Sequence, residues 1–277
     1  KGFEMVTSYK DNVGDDFYYD IGFNLGYAKD EYATLDEPET RRPYQLLNGH
    51  GTSRLFGYTA EGIIRDQAQL DALIASGYKM NGADPQIGAL YYRDLRGNPQ
   101  VDPEGNTPDG VIDGNDQSYI GSASSPPINY GIRLNLNYKR FTLQTFAQGF
   151  AGHQRYQPAN NIFQFGDIGN SSHTQWLDAW SPTNVDGALP RFGSPSAGDN
   201  SSFWLQDADY LRLKNVNLGY DIPDNIASKV GAERINLFAN GTNLFMIYSK
   251  IDQFDPETIG RGIPVNKTYS LGINVTF

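Results

Sequence analysis

The chain has 277 residues, no cysteine, a net charge of −10 and a mean hydropathy of −0.52, yet 13% of its residues are aromatic, 18 Tyr and 15 Phe among them. The missing cysteine rules out disulfides, thiolate chemistry and cysteine metal sites, and an acidic balance with no concentrated basic face argues against a nucleic-acid partner. No stretch approaches 18 consecutive apolar residues, which excludes a membrane-spanning helix but not a transmembrane barrel, whose strands are apolar only at every second position.

The first residues, Lys1-Gly-Phe-Glu-Met-Val, already read as strand, so the chain looks like a piece that begins in mid-architecture. A first strand is expected at residues 3–9 and a second at 17–27. In the second, Phe17, Tyr19, Ile21, Phe23, Leu25 and Tyr27 share one face, opposed by Tyr18, Asp20, Gly22, Asn24 and Gly26. Residues 28–53, 95–125 and 152–206 are rich in Gly, Asn, Asp, Ser and Pro and read as long loops. Weaker strand signals lie at 54–64 and 88–93, and residues 67–76 have helical spacing at Leu70, Leu73 and Ile74.

Residues 128–138 alternate again: Ile128, Tyr130, Ile132, Leu134, Leu136 and Tyr138 stand against Asn129, Gly131, Arg133, Asn135 and Asn137. Lys139-Arg140 separates this run from a strand at 141–150, which predicts a tight hairpin on the periplasmic side. Strands follow at 211–222 and 235–248, with a one- or two-turn helix at 224–230 after Pro223. The last strand, 268–277, sets Tyr269, Leu271, Ile273, Val275 and Phe277 against Thr268, Ser270, Gly272, Asn274 and Thr276.

Runs of eleven residues span more than about 30 Å, well beyond the usual globular strand. Tyr at both ends of an aliphatic band is the pattern of a barrel wall meeting two membrane interfaces. The fold class expected is all-β: an antiparallel transmembrane β-barrel segment of about seven or eight strands with short turns on one side and long extracellular loops on the other. Asp20, Asn24, Arg133, Asn135 and Asn137 should face the lumen and their aliphatic neighbours the lipid.

Residues 102–116 scatter carboxylates around Gly110 in the manner of a calcium loop, so Asp109, Asp113 and Asp116 are the candidate metal ligands and calcium the candidate cofactor. The competing reading is a metal-free, turn-rich loop. Trp176, Trp180 and Trp204 suit either stacking on sugar rings or packing that orders a long loop, and packing is favoured. Only His50, His153 and His173 are present, with no nucleophile elbow, no His-Glu-x-x-His and no phosphate loop, so no enzyme is expected.

Taken in order, Lys1-Gly-Phe-Glu, residues 57–62, residues 109–113 with Asp116, Ile120-Gly121, residues 129–131, Tyr138-Lys139, residues 210–215 (Tyr-Leu-Arg-Leu-Lys-Asn), residues 218–220, Pro223, Asn243-Leu-Phe245, Asp255-Pro-Glu257 and the aromatic end resemble the carboxyl-terminal part of SusC/RagA-type TonB-dependent receptors. The resemblance covers residues 1–277. It implies a barrel of about 22 strands closed by an amino-terminal plug, neither the plug nor the TonB-contacting segment being in this sequence. It further implies location in the outer membrane of a Gram-negative bacterium of the Bacteroidetes, nutrient import as the partner of a SusD-like surface lipoprotein, and contact with lipid and with the rest of the same barrel. Family members often carry an unbroken Asp-x-Asn-x-Asp-Gly loop, whereas the early ligand positions here fall on Gly105 and Thr107. Tyr269, Leu271, Ile273, Val275 and Phe277 resemble the signal read by the outer-membrane assembly machinery, and the outer edge of their strand should be unpaired within the chain. The rival readings are a passive porin or small barrel, and a soluble all-β carbohydrate-binding module or glycosidase.

Overall fold

A computed structural model describes residues 1–39, 42–100, 107–122, 126–157, 174–252, 254–258, 263 and 265–277. Residues 102–106 of the carboxylate-rich segment and His173 lie outside the described residues. In chain order the strands are β1 (Gly2–Val13), β2 (Phe17–Ala28), β3 (Arg54–Gly57), β4 (Ala60–Ile63), β5 (Lys79–Met80), β6 (Leu90–Tyr92), β7 (Val111–Ile112), β8 (Ser118–Ser122), β9 (Ile128–Tyr138), β10 (Phe141–Ala151), β11 (Gln154–Tyr156), β12 (Leu205–Asp207), β13 (Tyr210–Asp221), β14 (Arg234–Ser249) and β15 (Thr268–Thr276). Two short helices, α1 (Gln67–Ala75) and α2 (Asp224–Ala227), are the α-helices among the described residues.

Seven of the strands form one antiparallel sheet in the order β1-β2-β9-β10-β13-β14-β15. The register sets like against like. Ile21 pairs with Leu134 and Phe23 with Ile132, while Asp20 pairs with Asn135 and Gly22 with Arg133. Leu143 stands between Leu136 and Leu218, and Ile273 lies opposite Leu237. Because alternate side chains point to opposite faces, each match of this kind propagates across the sheet and yields one apolar and one polar face.

The apolar face is edged by aromatic rows. Near the short turns, Phe17 stacks on Tyr19 with ring centres 5.9 Å apart and meets Tyr138 edge-on, and Phe141 packs 4.6 Å from Tyr220. At the other end Phe3 packs 5.8 Å from Tyr27. Eight residues separate Tyr19 from Tyr27, about 26 Å along the strand before tilt, close to the height of the apolar band on a bacterial barrel. Much of this face is exposed, Ile21, Ile132, Leu218 and Leu271 included.

Strand parity changes within β13: Leu211 and Leu213 are apolar at odd positions, then Val216, Leu218 and Tyr220 at even ones. A β-bulge absorbs the change. Phe146 pairs with Asn215 and Ala147 with Leu213, which leaves Lys214 as the extra residue. On the other side the register slips again between Leu213 and Asn215, beside Asn243, whose φ of +52° an Asn tolerates better than most residues.

Turns at Gly14–Asp16 and Lys139-Arg140 close one end of the sheet. The segments 29–127, 152–209 and 250–267 all leave from the other end, which is the asymmetry of an outer-membrane barrel. Among the described residues β1 and β15 each have a single strand neighbour, so the sheet is open at both edges. The signals at 54–64 and 88–93 do form strands, β3, β4 and β6, but these pair in two-stranded ladders outside the large sheet.

Residues 30–124 and 154–206 form a second compact unit with its own core. Tyr58, Ile63, Ile64, Leu90, Tyr92, Ile112, Trp180 and Trp204 are all buried there. The weak strand signals, with Tyr58, Ile63, Ile64, Leu90 and Tyr92, and the loop-like stretches, with Ile112, Trp180 and Trp204, thus supply one packed interior, because their large apolar residues converge though widely spaced in sequence. Ladders β3–β8, β4–β6 and the parallel β5–β7 pin them, and Asp66 caps α1 by accepting a hydrogen bond from the Gln69 N–H at 2.8 Å.

Candidate functional site

The polar face of the sheet is a connected surface. The Asp20 carboxylate accepts hydrogen bonds from Arg133 Nη2 at 3.2 and 3.3 Å and from Asn135 Nδ2 at 3.3 Å. Asn217 Nδ2 donates to Gln144 Oε1 at 3.2 Å on the neighbouring pair. Glycines on this face leave room for long partners: a Cβ at Gly22 would lie 3.2 Å from Arg133 Nη2, and one at Gly131 2.4 Å from Asn24 Oδ1. Among the described residues this face carries amides, glycines and two ion pairs, Asp20–Arg133 and Asp221–Arg234, a surface suited to polar groups and water.

The strongest electrostatic feature joins two motifs that the sequence separates by 43 residues. Arg212 Nη2 donates to Asp255 Oδ1 at 2.6 Å, and Arg212 Nε lies 3.0 Å from Glu257 Oε1, whose other oxygen takes Lys214 Nζ at 2.5 Å. All four side chains are largely buried. Asp255 also accepts from the N–H groups of Glu257 and Val265. Burial pushes its pKa up, but Arg212 and these donors outweigh burial and hold it below the usual carboxylate range. The quartet fastens residues 255–257 to β13. Both motifs are legible in the sequence, their pairing is not: nothing local in Tyr-Leu-Arg-Leu-Lys-Asn says which acids it meets.

Asp109, Asp113 and Asp116 share one turn-rich loop, where each is engaged by the backbone. Asp116, fully buried, accepts from the N–H groups of Leu95 at 2.7 Å, Arg96 at 3.0 Å and Asp113 at 2.8 Å. Asp113 accepts from the Asn115 N–H at 2.7 Å, and Asp109 from Val111 and Asn98. The acid that sequence reading missed is Asp94, which accepts from the Gly110 N–H at 2.5 Å. Burial first, then the charges of Asp116 and Asp109, raises its pKa. Among the described residues no three such side chains gather as a metal-ligand set.

The three tryptophans lie in the second unit and are buried. Trp180 donates through Nε1 to the Arg65 carbonyl at 3.1 Å, and Trp176 meets Phe192 edge-on at 5.4 Å and Trp204 at 6.4 Å. Gly88, at φ +81°, lies so close under Trp180 that a Cβ there would sit 2.6 Å from the indole. Their role is to pack, so they present no face for sugar stacking.

Tyr269, Leu271, Ile273 and Val275 stand on the apolar face of β15, all exposed, as is Phe277 beyond the strand. β15 pairs with β14 alone among the described residues.

No protein-family model matches the chain. It is 24% identical over its whole length to TonB-dependent receptor P3 of Formosa agariphila, covering 28% of that protein, and 28% identical over 84% of its length to receptor P26 of the same organism, covering 23%. It is 23% identical over its whole length to TonB-dependent receptor SusC of Bacteroides thetaiotaomicron, covering 26%. Among solved structures, the RagAB peptide transporter superposes on the full chain with a TM-score of 0.70 at 19% identity, covering 29% of the chain compared. The chain thus spans between about a quarter and three tenths of its relatives' length, and those relatives are receptors, not enzymes. Along its whole length the chain is thus similar in sequence to TonB-dependent receptors that include SusC, and its fold is that of the corresponding part of RagAB.

Proposed function

We propose that the full-length protein imports an oligomeric nutrient, glycan or peptide, across the outer membrane in a TonB-dependent step, as the SusC-like partner of a SusD-like lipoprotein, and that this chain is the carboxyl-terminal portion of its barrel wall. The observation that carries this reading is the seven-stranded sheet with an exposed apolar face between two aromatic rows and a hydrogen-bonded polar face behind it. The RagAB neighbour is a peptide transporter, which supports an oligomer as cargo without deciding between peptide and glycan. Deleting the receptor gene should abolish growth on one oligomer of a glycan and peptide panel, and disabling the TonB system should reproduce the defect. Uptake of every panel member without the receptor, or recovery of the protein in the soluble fraction without detergent, would overturn the reading.

Two lesser proposals attach to named residues. The apolar stripe Tyr269, Leu271, Ile273, Val275 and Phe277 serves barrel assembly; removing Phe277 from the full-length protein should lower the heat-modifiable folded species, and unchanged folding discards the role. Calcium at Asp109, Asp113 and Asp116 is tested by titration calorimetry of the full-length protein, where the absence of heat discards it.

A further inference from the structure

The second unit contains a half-enclosed cleft of about 260 Å³ that none of the features above uses. Its rim is a rigid two-residue hairpin. Met80 and Ala83 exchange N–H···O bonds of 2.9 Å each, with Asn81 at φ +48° and Gly82 at φ +81°, the mirror-image turn that an Asn-Gly pair adopts. The opposite wall is equally fixed: the Leu90 N–H donates to Ser196 Oγ at 2.8 Å, and the Tyr92 hydroxyl donates to the Ser196 carbonyl at 2.9 Å. Beneath, the Tyr92 N–H donates to the Tyr78 hydroxyl at 3.0 Å, and burial pushes the Tyr78 pKa up to about 12.

Apolar atoms of Met80, Pro85, Ala89 and Leu90 line the cleft. A carboxylate, Asp199, also lines it. Asp199 Oδ2 accepts from the Tyr92 hydroxyl at 3.3 Å, and no cation is paired with it among the described residues. The cleft's other acid, Asp84, already holds Lys79 Nζ at 2.9 Å. Burial raises the Asp199 pKa, against the lowering effect of the Tyr92 bond. A half-buried carboxylate beside apolar walls gains most from a ligand cation that replaces lost hydration. The volume lies just under the range of about 300–1,000 Å³ typical of sites for drug-sized ligands, so it suits one side chain or monomer rather than a whole oligomer.

We propose that this cleft binds a primary ammonium group carried on an unbranched aliphatic stem, as in the lysine side chain of a peptide, with Asp199 as counter-ion and Met80, Pro85 and Leu90 around the stem. The site rests on the geometry of the second unit and does not depend on the import reading. Binding is measured without transport, so failure of one leaves the other standing.

The probes are pentylamine and 1-pentanol, matched in length and differing in charge, titrated against the full-length receptor in detergent. The expected result is at least a tenfold preference for pentylamine, reduced to parity in Asp199→Asn. Met80→Trp, which fills the cleft, should remove binding of both. Equal binding of the two probes to the unmodified receptor overturns the proposal whether or not the variants fold. An Asp199→Asn protein with an unchanged melting transition that keeps the preference overturns it too.

Discussion

The sheet and the second unit handle large apolar residues in opposite ways. Leu271 on the sheet is 87% exposed, and Trp204 in the second unit is 3% exposed. The sheet is shaped for two environments, one per face, and has no interior of its own. The second unit is shaped for water around a packed core. That difference predicts where a given substitution hurts: on the sheet the sign of the effect depends on which face is hit, whereas in the second unit it depends on depth.

The largest effect should come from the core. Trp204→Ala removes a buried indole that touches Trp176 and Phe203, and truncations of this kind cost about 3–5 kcal/mol. Limited proteolysis of the full-length protein should then cut within residues 154–206 while the sheet stays protected. Cleavage of the sheet at the same rate would show that the two regions do not unfold separately.

Next in size is the buried quartet. Arg212→Ala leaves Asp255 and Glu257 without their shared cation, and breaking a buried pair by removing one partner costs about 3–5 kcal/mol, less here because the acids retain some solvent. The variant should release residues 255–257, measured as faster hydrogen exchange at the Glu257 and Val265 amides that donate to Asp255. Arg212→Lys should restore part of the protection, since a point charge replaces a two-armed donor.

The face dependence is tested at adjacent positions. Leu134 lies four residues from both Tyr130 and Tyr138, midway between the aromatic rows on the apolar face, and Asn135 beside it points at Asp20. Leu134→Arg should cost about 2–4 kcal/mol in a bilayer unfolding titration. Asn135→Arg should cost little, because it places a cation beside a carboxylate. The reverse order would refute the facing.

How much of this was legible in the sequence follows from the same contrast. On the sheet the alternation is written locally, so Phe17 to Tyr27 and Ile128 to Tyr138 give both strand and face directly, and even the bulge at Lys214 shows as a parity change between Leu213 and Val216. In the second unit the core comes from residues far apart, Tyr58 and Tyr92 in weak strand signals and Trp204 inside a polar stretch, and no periodic pattern joins them. The same limit applies to the sites. Asp109, Asp113 and Asp116 were visible as a carboxylate motif, but Asp94 and the Asp255–Arg212 partnership depend on contacts across the fold, and Asp199 stands out only once burial and the Tyr92 hydroxyl surround it.

The smallest effect expected is one of pH, and it separates ion pairing from burial in the quartet. Burial alone would raise the Asp255 pKa, so protonation would come easily and acid would cost the fold nothing at this site. At this site the balance is the reverse: Arg212 and two backbone donors hold the folded pKa below the unfolded value of about 3.9. Such a group contributes stability that is fully present above the unfolded pKa and is lost as pH falls through the folded one. Protection of the Glu257 and Val265 amides, corrected for intrinsic exchange, should hold at pH 5 and weaken below pH 4, while Asp255→Asn should be weakened at both and show no such step. A step of equal size in Asp255→Asn would show that the acid sensitivity does not arise at Asp255, and would shift the burden of holding residues 255–257 to the bonds of Glu257 with Arg212 and Lys214.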